Sequence, residues 1–187
     1  MTVRRLAVLA AVLLVAGGLT ACGSESWVKK CTTSSAGVIT CRPDQRPPAK
    51  DATGQLLDGS TYDVAADRGK VVVVNFWGSW CGPCRAEATD LQKTYDATRE
   101  RGVAFVGVNT RDDRDAAKAF ARARGVTYPS IYDPDGRVAL AFDVTQVSTP
   151  STLILDRQGR IAAALRRSTT VAELQPLVER VAAEGTG

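Results

Sequence analysis

Histidine is absent from this 187-residue chain, and the absence removes several chemistries together. No Cys–His hydrolase can be built from it, and no Cys-x-x-Cys-His haem attachment. A strong excess of one charge is also lacking. The 24 basic and 20 acidic side chains give a formal +4. The basic residues are scattered and form no stripe, which argues against a nucleic-acid partner and for a solvated surface. Nor is there an apolar run long enough to span a bilayer, which takes about 20 residues. What is present suits one domain with extensions, and a hydrophobic content of 44% supplies a core of ordinary size.

The first 22 residues read as an address. Arg4 and Arg5 form a positive start, and Leu6 to Val15 is an uninterrupted apolar run of ten residues, the size of a signal-peptide core. Leu19-Thr20-Ala21-Cys22 resembles the bacterial lipobox, in which the cysteine thiol is lipidated and the preceding residues are removed. Residues 1–21 are therefore expected to be a signal peptide and Cys22 the lipidation site, giving a lipoprotein on the outer face of a bacterial cell membrane. Cleavage would leave 22 basic against 20 acidic side chains. The alternative is an uncleaved N-terminal anchor with Cys22 incidental; both export the domain. The residues after Arg4-Arg5 give little support to twin-arginine export.

Five cysteines are an odd number, and an exported chain needs a reason for the odd one. Lipidation of Cys22 supplies it and leaves two pairs. Cys31 and Cys41, with nine residues between them, are expected to close a loop as a structural disulfide, worth about 2–3 kcal/mol by loop-closure entropy. Free thiols are the alternative, disfavoured in an oxidising compartment.

Along the chain, Gly23 to Glu25 reads as a polar tether and Arg42 to Lys50, with Pro43, Pro47 and Pro48, as a semi-extended linker that cannot be helical. Residues 22–50 are thus expected to precede a folded domain that spans 51–187. Leu56 to Tyr62 predicts a hairpin around Asp58-Gly59. Strand and helix patterns then alternate, as in a sheet covered by helices. Val71 to Phe76 predicts a central buried strand. Residues 82–100 predict a helix, Val103 to Val108 a second strand, and 112–124 a helix with Ala116, Ala119 and Phe120 inward. Ser151 to Leu155 and Arg160 to Leu165, joined by Arg157-Gln158-Gly159, predict an antiparallel pair. A last helix carries Val171, Leu174, Val178 and Val181, with Pro176 kinking it or marking its start, and Glu184 to Gly187 frays.

Chemistry concentrates at Trp80-Cys81-Gly82-Pro83-Cys84, between the first core strand and the helix after it. At a helix N-terminus the free amides and the dipole favour the Cys81 thiolate. Cys84, three residues on, lies on the same face within disulfide reach. Gly82 permits the turn, and Pro83 sits where its missing N–H costs nothing. Cys81 is the expected exposed nucleophile and Cys84 the covered resolving thiol, with no cofactor beyond that disulfide. Zinc needs a second ligand pair, and Cys31 and Cys41 have the wrong spacing for one, so no metal is expected.

Val74-Asn75-Phe76-Trp77-Gly78-Ser79-Trp80-Cys81-Gly82-Pro83-Cys84-Arg85-Ala86-Glu87, together with Tyr128-Pro129 and Ser148 to Asp156, resembles the thioredoxin superfamily. Within it the chain is similar to the exported TlpA- and ResA-like (DsbE-like) thiol–disulfide oxidoreductases, over roughly residues 51–183. The resemblance implies an α/β, thioredoxin-like fold: a central mixed β-sheet flanked by helices, with an N-terminal hairpin extension. Asn75 stands where cytoplasmic thioredoxins carry an acid, and Glu87 matches the active-site glutamate of the exported branch, there exchanging the Cys84 proton. A carboxylate that merely decorates the first helical turn is the competing reading of Glu87. Thr149-Pro150 matches the family's cis-proline, with Thr149 and Pro150 meeting an extended substrate segment beside Trp80, Gly82 and Pro83. Trp77 is mainly structural.

The resemblance implies a reductase of protein disulfides fed by a CcdA- or DsbD-like membrane electron donor, with apocytochrome c as one substrate; nothing in the sequence points beyond a monomer. Gly82-Pro83 is the dipeptide of reducing thioredoxins, but many exported relatives break that rule. A disulfide-forming oxidase therefore stays open. A peroxidase is disfavoured, since no Pro-x-x-x-Thr-x-x-Cys pattern surrounds any cysteine. A copper or haem chaperone is a non-enzymatic alternative, although copper chaperones of similar fold usually add a distant histidine.

Overall fold

The computed structural model describes residues 27–50, 52–144 and 148–185. Arg4, Arg5, the apolar run, Cys22 and the 23–25 tether lie outside the described residues, as do 186 and 187. Near the start of the described chain stand β1 (Thr32–Thr33) and β2 (Val38–Thr40), then β3 (Thr53–Gln55) and β4 (Thr61–Asp63). The central part runs β5 (Val71–Trp77), α1 (Gly82–Thr98), β6 (Val103–Thr110), α2 (Arg114–Ala123), β7 (Ser130–Asp133) and α3 (Arg137–Ala141). The chain closes with β8 (Ser151–Leu155), β9 (Ile161–Leu165) and α4 (Val171–Ala183). Among the described residues seven strands form one sheet in the order β1-β2-β9-β8-β5-β6-β7, and β3-β4 is a separate hairpin. β5, β6 and β7 are parallel, whereas β8 is antiparallel to both β5 and β9. This is the thioredoxin-like mixed sheet with flanking helices.

The alternation of a strand decides which side chains meet which helix. Every residue of β5 is buried. Val71 and Val73 join Leu91 of α1 and Leu174 and Val178 of α4. Val72, Val74 and Phe76 join the opposite core with Val108, Leu153 and Phe142. Asn75 shares the parity of Val71 and Val73, so it faces α1. Across the ladder it pairs with Thr152 of β8.

Several expectations need correction. The folded unit does not begin near Asp51: β2 pairs with β9, and residues 41–49 continue along it through bonds such as Ile161 N–H to the Pro47 carbonyl at 2.9 Å. The Pro-rich segment is no free linker, and it contains a 3-10 turn at Pro43–Gln45, because proline is tolerated in a first turn. In α2 the buried residue is Ala117, Phe120 is half-buried, and Ala116 and Ala119 are exposed. Phe120 stacks on Trp77 with ring centroids 4.9 Å apart, which sets the phase that alanines alone leave undefined. β7 and α3 escape sequence reading because each is short and β7 has polar ends. Pro176 lies inside α4 and does not start it.

Glu184 does not fray. It accepts from Arg46 at 2.5 and 2.8 Å, and Arg46 also reaches Asp156 at 3.3 Å. The Arg46 and Asp156 side chains are only 4% and 5% exposed, and Arg160 binds Asp156 from the rim at 2.9 Å. Arg46→Ala leaves Asp156 buried with one partner fewer. Urea unfolding should show a loss of about 2–3 kcal/mol, somewhat below a fully broken buried pair because Arg160 remains. A loss under about 0.5 kcal/mol, the size of an ordinary surface change, would refute this role.

Candidate active site

β5 ends at Trp77, and four residues later Cys81 caps α1, its sulfur accepting the Cys84 N–H at 3.2 Å. Cys81 and Cys84 form a disulfide, S–S 2.04 Å. Gly82 and Pro83 open the helix and are exposed. Cys81 departs from expectation: in this disulfide state it is only 4% exposed, against 2% for Cys84. Its sulfur is tied back to Cys84, and both residues pack in one apolar cluster with Leu57, Trp77 and Ala117.

The turn before Cys81 is fastened from outside. The Asp112 carboxylate accepts the Ser79 N–H at 2.6 Å, the Ser79 hydroxyl at 2.7 Å and the Asn109 amide at 2.7 Å. Trp80, 42% exposed, donates its indole N–H to the Thr110 carbonyl at 3.3 Å. Its ring lies so close to Gly78 that any Cβ there would collide with it. Trp77, by contrast, is buried and donates to the Ser130 hydroxyl at 3.3 Å.

Glu87 lies one turn beyond Cys84 and is 1% exposed. Asn75 donates to its Oε1 at 3.0 Å and to Thr152 at 3.1 Å, and the Thr169 backbone N–H donates to Oε2 at 3.0 Å. Burial pushes the carboxyl up to about 7, and the Asn75 and Thr169 bonds hold it from going higher. Tyr128 is also buried; desolvation first and then the Glu87 charge raise its phenol.

The Thr149–Pro150 bond is cis. Ser151 pairs with Phe76, which puts Pro150 at the sheet end from which Cys81 emerges. The Thr149 hydroxyl is buried and has no hydrogen-bond partner among the described residues. Cys31 and Cys41 form a second disulfide, S–S 1.99 Å, on the β1–β2 hairpin, three strands from β5 in the sheet order. Among the described residues no group of Cys, Asp and Glu is placed to hold a metal, and no helix is long and apolar enough to cross a membrane.

Sequence reading missed Asp112, Leu57 and Thr169. Asp112 sits in an acidic run that looks like a helix start, and Asp113 is indeed the α2 cap. Leu57 and Thr169 reach the site only through the folding of distant loops.

The AhpC/TSA family profile matches residues 46–164. The thiol:disulfide interchange protein DsbE of Allochromatium vinosum is 32% identical over 143 residues, covering 74% of this chain and 71% of that one. The thiol-disulfide oxidoreductase ResA of Bacillus subtilis is 32% identical over 114 residues, covering 59% and 63%. Among solved structures, a DsbF homologue from Corynebacterium diphtheriae has a TM-score of 0.73 at 34% identity, covering 80% of this chain and 97% of that one. A secreted thiol-disulfide isomerase from Corynebacterium glutamicum has 0.74 at 33%, covering 82% and 97%.

The Glu87 carboxyl binds its proton more tightly folded than unfolded, so its contribution to stability is full below about 4.5 and is lost as pH rises through about 7. Across that window the oxidised protein should lose on the order of 2–3 kcal/mol from this group. Glu87→Gln should flatten that slope in urea titrations run at several pH values. An unchanged slope would rule out a raised Glu87 pKa.

Proposed function

The chain belongs to the AhpC/TSA family, and on that footing we propose that it is an exported, membrane-anchored thiol–disulfide oxidoreductase that reduces disulfides of extracytoplasmic proteins. The observation that carries the reading is the buried Glu87 one turn from Cys84, with a pKa raised to about 7 beside a helix-capping disulfide. A group poised near neutrality both accepts and returns a proton.

In the reduced enzyme the Cys81 thiolate attacks one sulfur of a partner disulfide. A Cys81–partner disulfide forms, and the other partner sulfur leaves as a thiolate. Cys84 gives its proton to Glu87 and attacks the Cys81 sulfur, releasing the second partner thiolate and forming Cys81–Cys84. Two electrons pass from enzyme to partner, and protons on Glu87 and from solvent neutralise the leaving thiolates. Trp80, Gly82, Pro83, Thr149 and Pro150 meet the extended client segment. The Cys31–Cys41 bridge is structural, Cys22 carries the lipid anchor, and a CcdA- or DsbD-like membrane protein restores the dithiol, with apocytochrome c among the clients. Support for export comes from the N-terminal pattern and from the relative described as secreted.

Two measurements test this. Cys84→Ser should trap client proteins on Cys81 as mixed disulfides, and Cys81→Ser should trap none; equal trapping would refute the assignment of nucleophile. The Cys81–Cys84 potential should lie near the thioredoxin value of about −270 mV, and a value near about −120 mV would reverse the direction to disulfide formation.

A further inference from the structure

Arg167 touches no cysteine, yet it joins three segments around the site. Its guanidinium donates to the Ala36 carbonyl through Nε at 3.0 Å and Nη2 at 2.8 Å. It grips Glu173 in the first turn of α4 at 2.5 and 2.9 Å, and it donates to the Ser168 carbonyl at 2.9 Å. Glu173 accepts the Thr169 hydroxyl at 3.1 Å, and the Thr169 N–H is the donor to Glu87 at 3.0 Å. Ala36 lies inside the loop closed by Cys31 and Cys41. One path of hydrogen bonds therefore runs from the second disulfide's hairpin to the buried carboxyl.

We propose that Arg167 is a positioning residue for thiol–disulfide exchange, keeping the Thr169 N–H on Glu87 by fastening the β9–α4 loop to the Cys31–Cys41 hairpin. This rests on reading Glu87 as the base for Cys84. The geometry calls for an arginine: a planar fork reaches a carbonyl on one segment and a carboxylate on another, which an ammonium does not. The Thr169 donor favours the ionised carboxyl, against the burial that favours the neutral one. When the loop slackens, the bond lengthens and Glu87 holds its proton at higher pH. The other groups facing Glu87 stay in place: Asn75 on β5, Tyr128 ahead of β7, and Cys84 on α1. Arg167 is itself 41% exposed, so solvent screens its direct field at Glu87 and its influence is chiefly geometric.

The test uses the full chain carrying Cys22→Ser, with Cys81–Cys84 reduced and Cys31–Cys41 left oxidised, and an aromatic disulfide (dithiobis-nitrobenzoate) as probe. The first nitrothiolate released reports attack by Cys81, and the second reports resolution by Cys84. Arg167→Ala should slow the second release two- to fivefold at pH 7 and raise its midpoint by about 0.5–1 unit, leaving the first release unchanged. NMR titration of the Glu87 δ-carbon should show the same rise. That signal reads positioning directly, so failure of the base assignment shows separately, as a Glu87→Gln enzyme whose pH–rate curve is unaltered.

Arg167→Ala combined with Glu173→Gln removes both charges, and the shift should persist if geometry is its cause. Arg167→Lys should recover only part of the rate. Cys31→Ser with Cys41→Ser should shift the midpoint the same way, without adding to Arg167→Ala, because both act through one link. Arg101→Ala, which breaks the exposed pair between Arg101, just after α1, and Glu179 farther along α4, should change nothing. Should Arg167→Ala fail to fold, Glu173→Gln alone carries the test. A Glu87 midpoint and second release unchanged in these variants would overturn the proposal.

Discussion

A single carboxyl group buried between a strand, a helix and a loop organises this protein. Glu87 is held by Asn75 from β5 and by Thr169 from the loop before α4, so three pieces of the chain must agree before it has partners. The agreement begins with parity. In β5 odd positions face α1, so Asn75 meets Glu87, and a slip of one residue in register would turn the amide into the opposite core. Thr152, directly across the ladder, shares the amide and fixes its orientation. The cost of burying a carboxyl is thereby reduced but not removed, and the residue of that cost is what leaves its pKa near neutrality.

The two disulfides stand in different settings. Cys81–Cys84 closes over a helix start, where the dipole stabilises the thiolate released on reduction. The turn that leads into it is pinned by Asp112 from the start of the next crossover. Cys31–Cys41 closes a local hairpin toward the β1 edge of the sheet, and neither cysteine stands at the start of an α-helix. The Cys81–Cys84 pair lies at the β5–α1 junction.

Much of this was legible in the residues. The Val71–Phe76 run, the Cys81-Gly82-Pro83-Cys84 spacing and the Ser151–Leu165 hairpin are local patterns, and local patterns survive in one dimension. The place of Glu87 could be anticipated from its helical offset to Cys84. Its partners could not all be, because Thr169 stands 82 residues away in the chain and acts through a backbone N–H that carries no residue signature. The same holds for Leu57, which enters the site only because the β3–β4 hairpin docks on β7. Prolines misled where they marked a linker: Pro47 and Pro48 accept and bridge without needing to donate, which suits a segment laid along an already paired strand. Alanine-rich α2 misled on phase, because small apolar residues on every face leave the choice to Trp77 and Phe120.

The pairing of β2 with β9 joins Thr40 to Ala163, almost the two ends of the described chain. Polypeptides are made from the N-terminus, so this edge of the sheet has no partner until nearly the whole sequence has emerged. Pairing at so large a separation in sequence is the kind that lowers the folding rate of a domain. A disulfide that spans only ten positions can close early and hold the waiting strand in its hairpin. With that bridge closed, the strand meets β9 as one arm of a tethered hairpin and has less conformational freedom to lose.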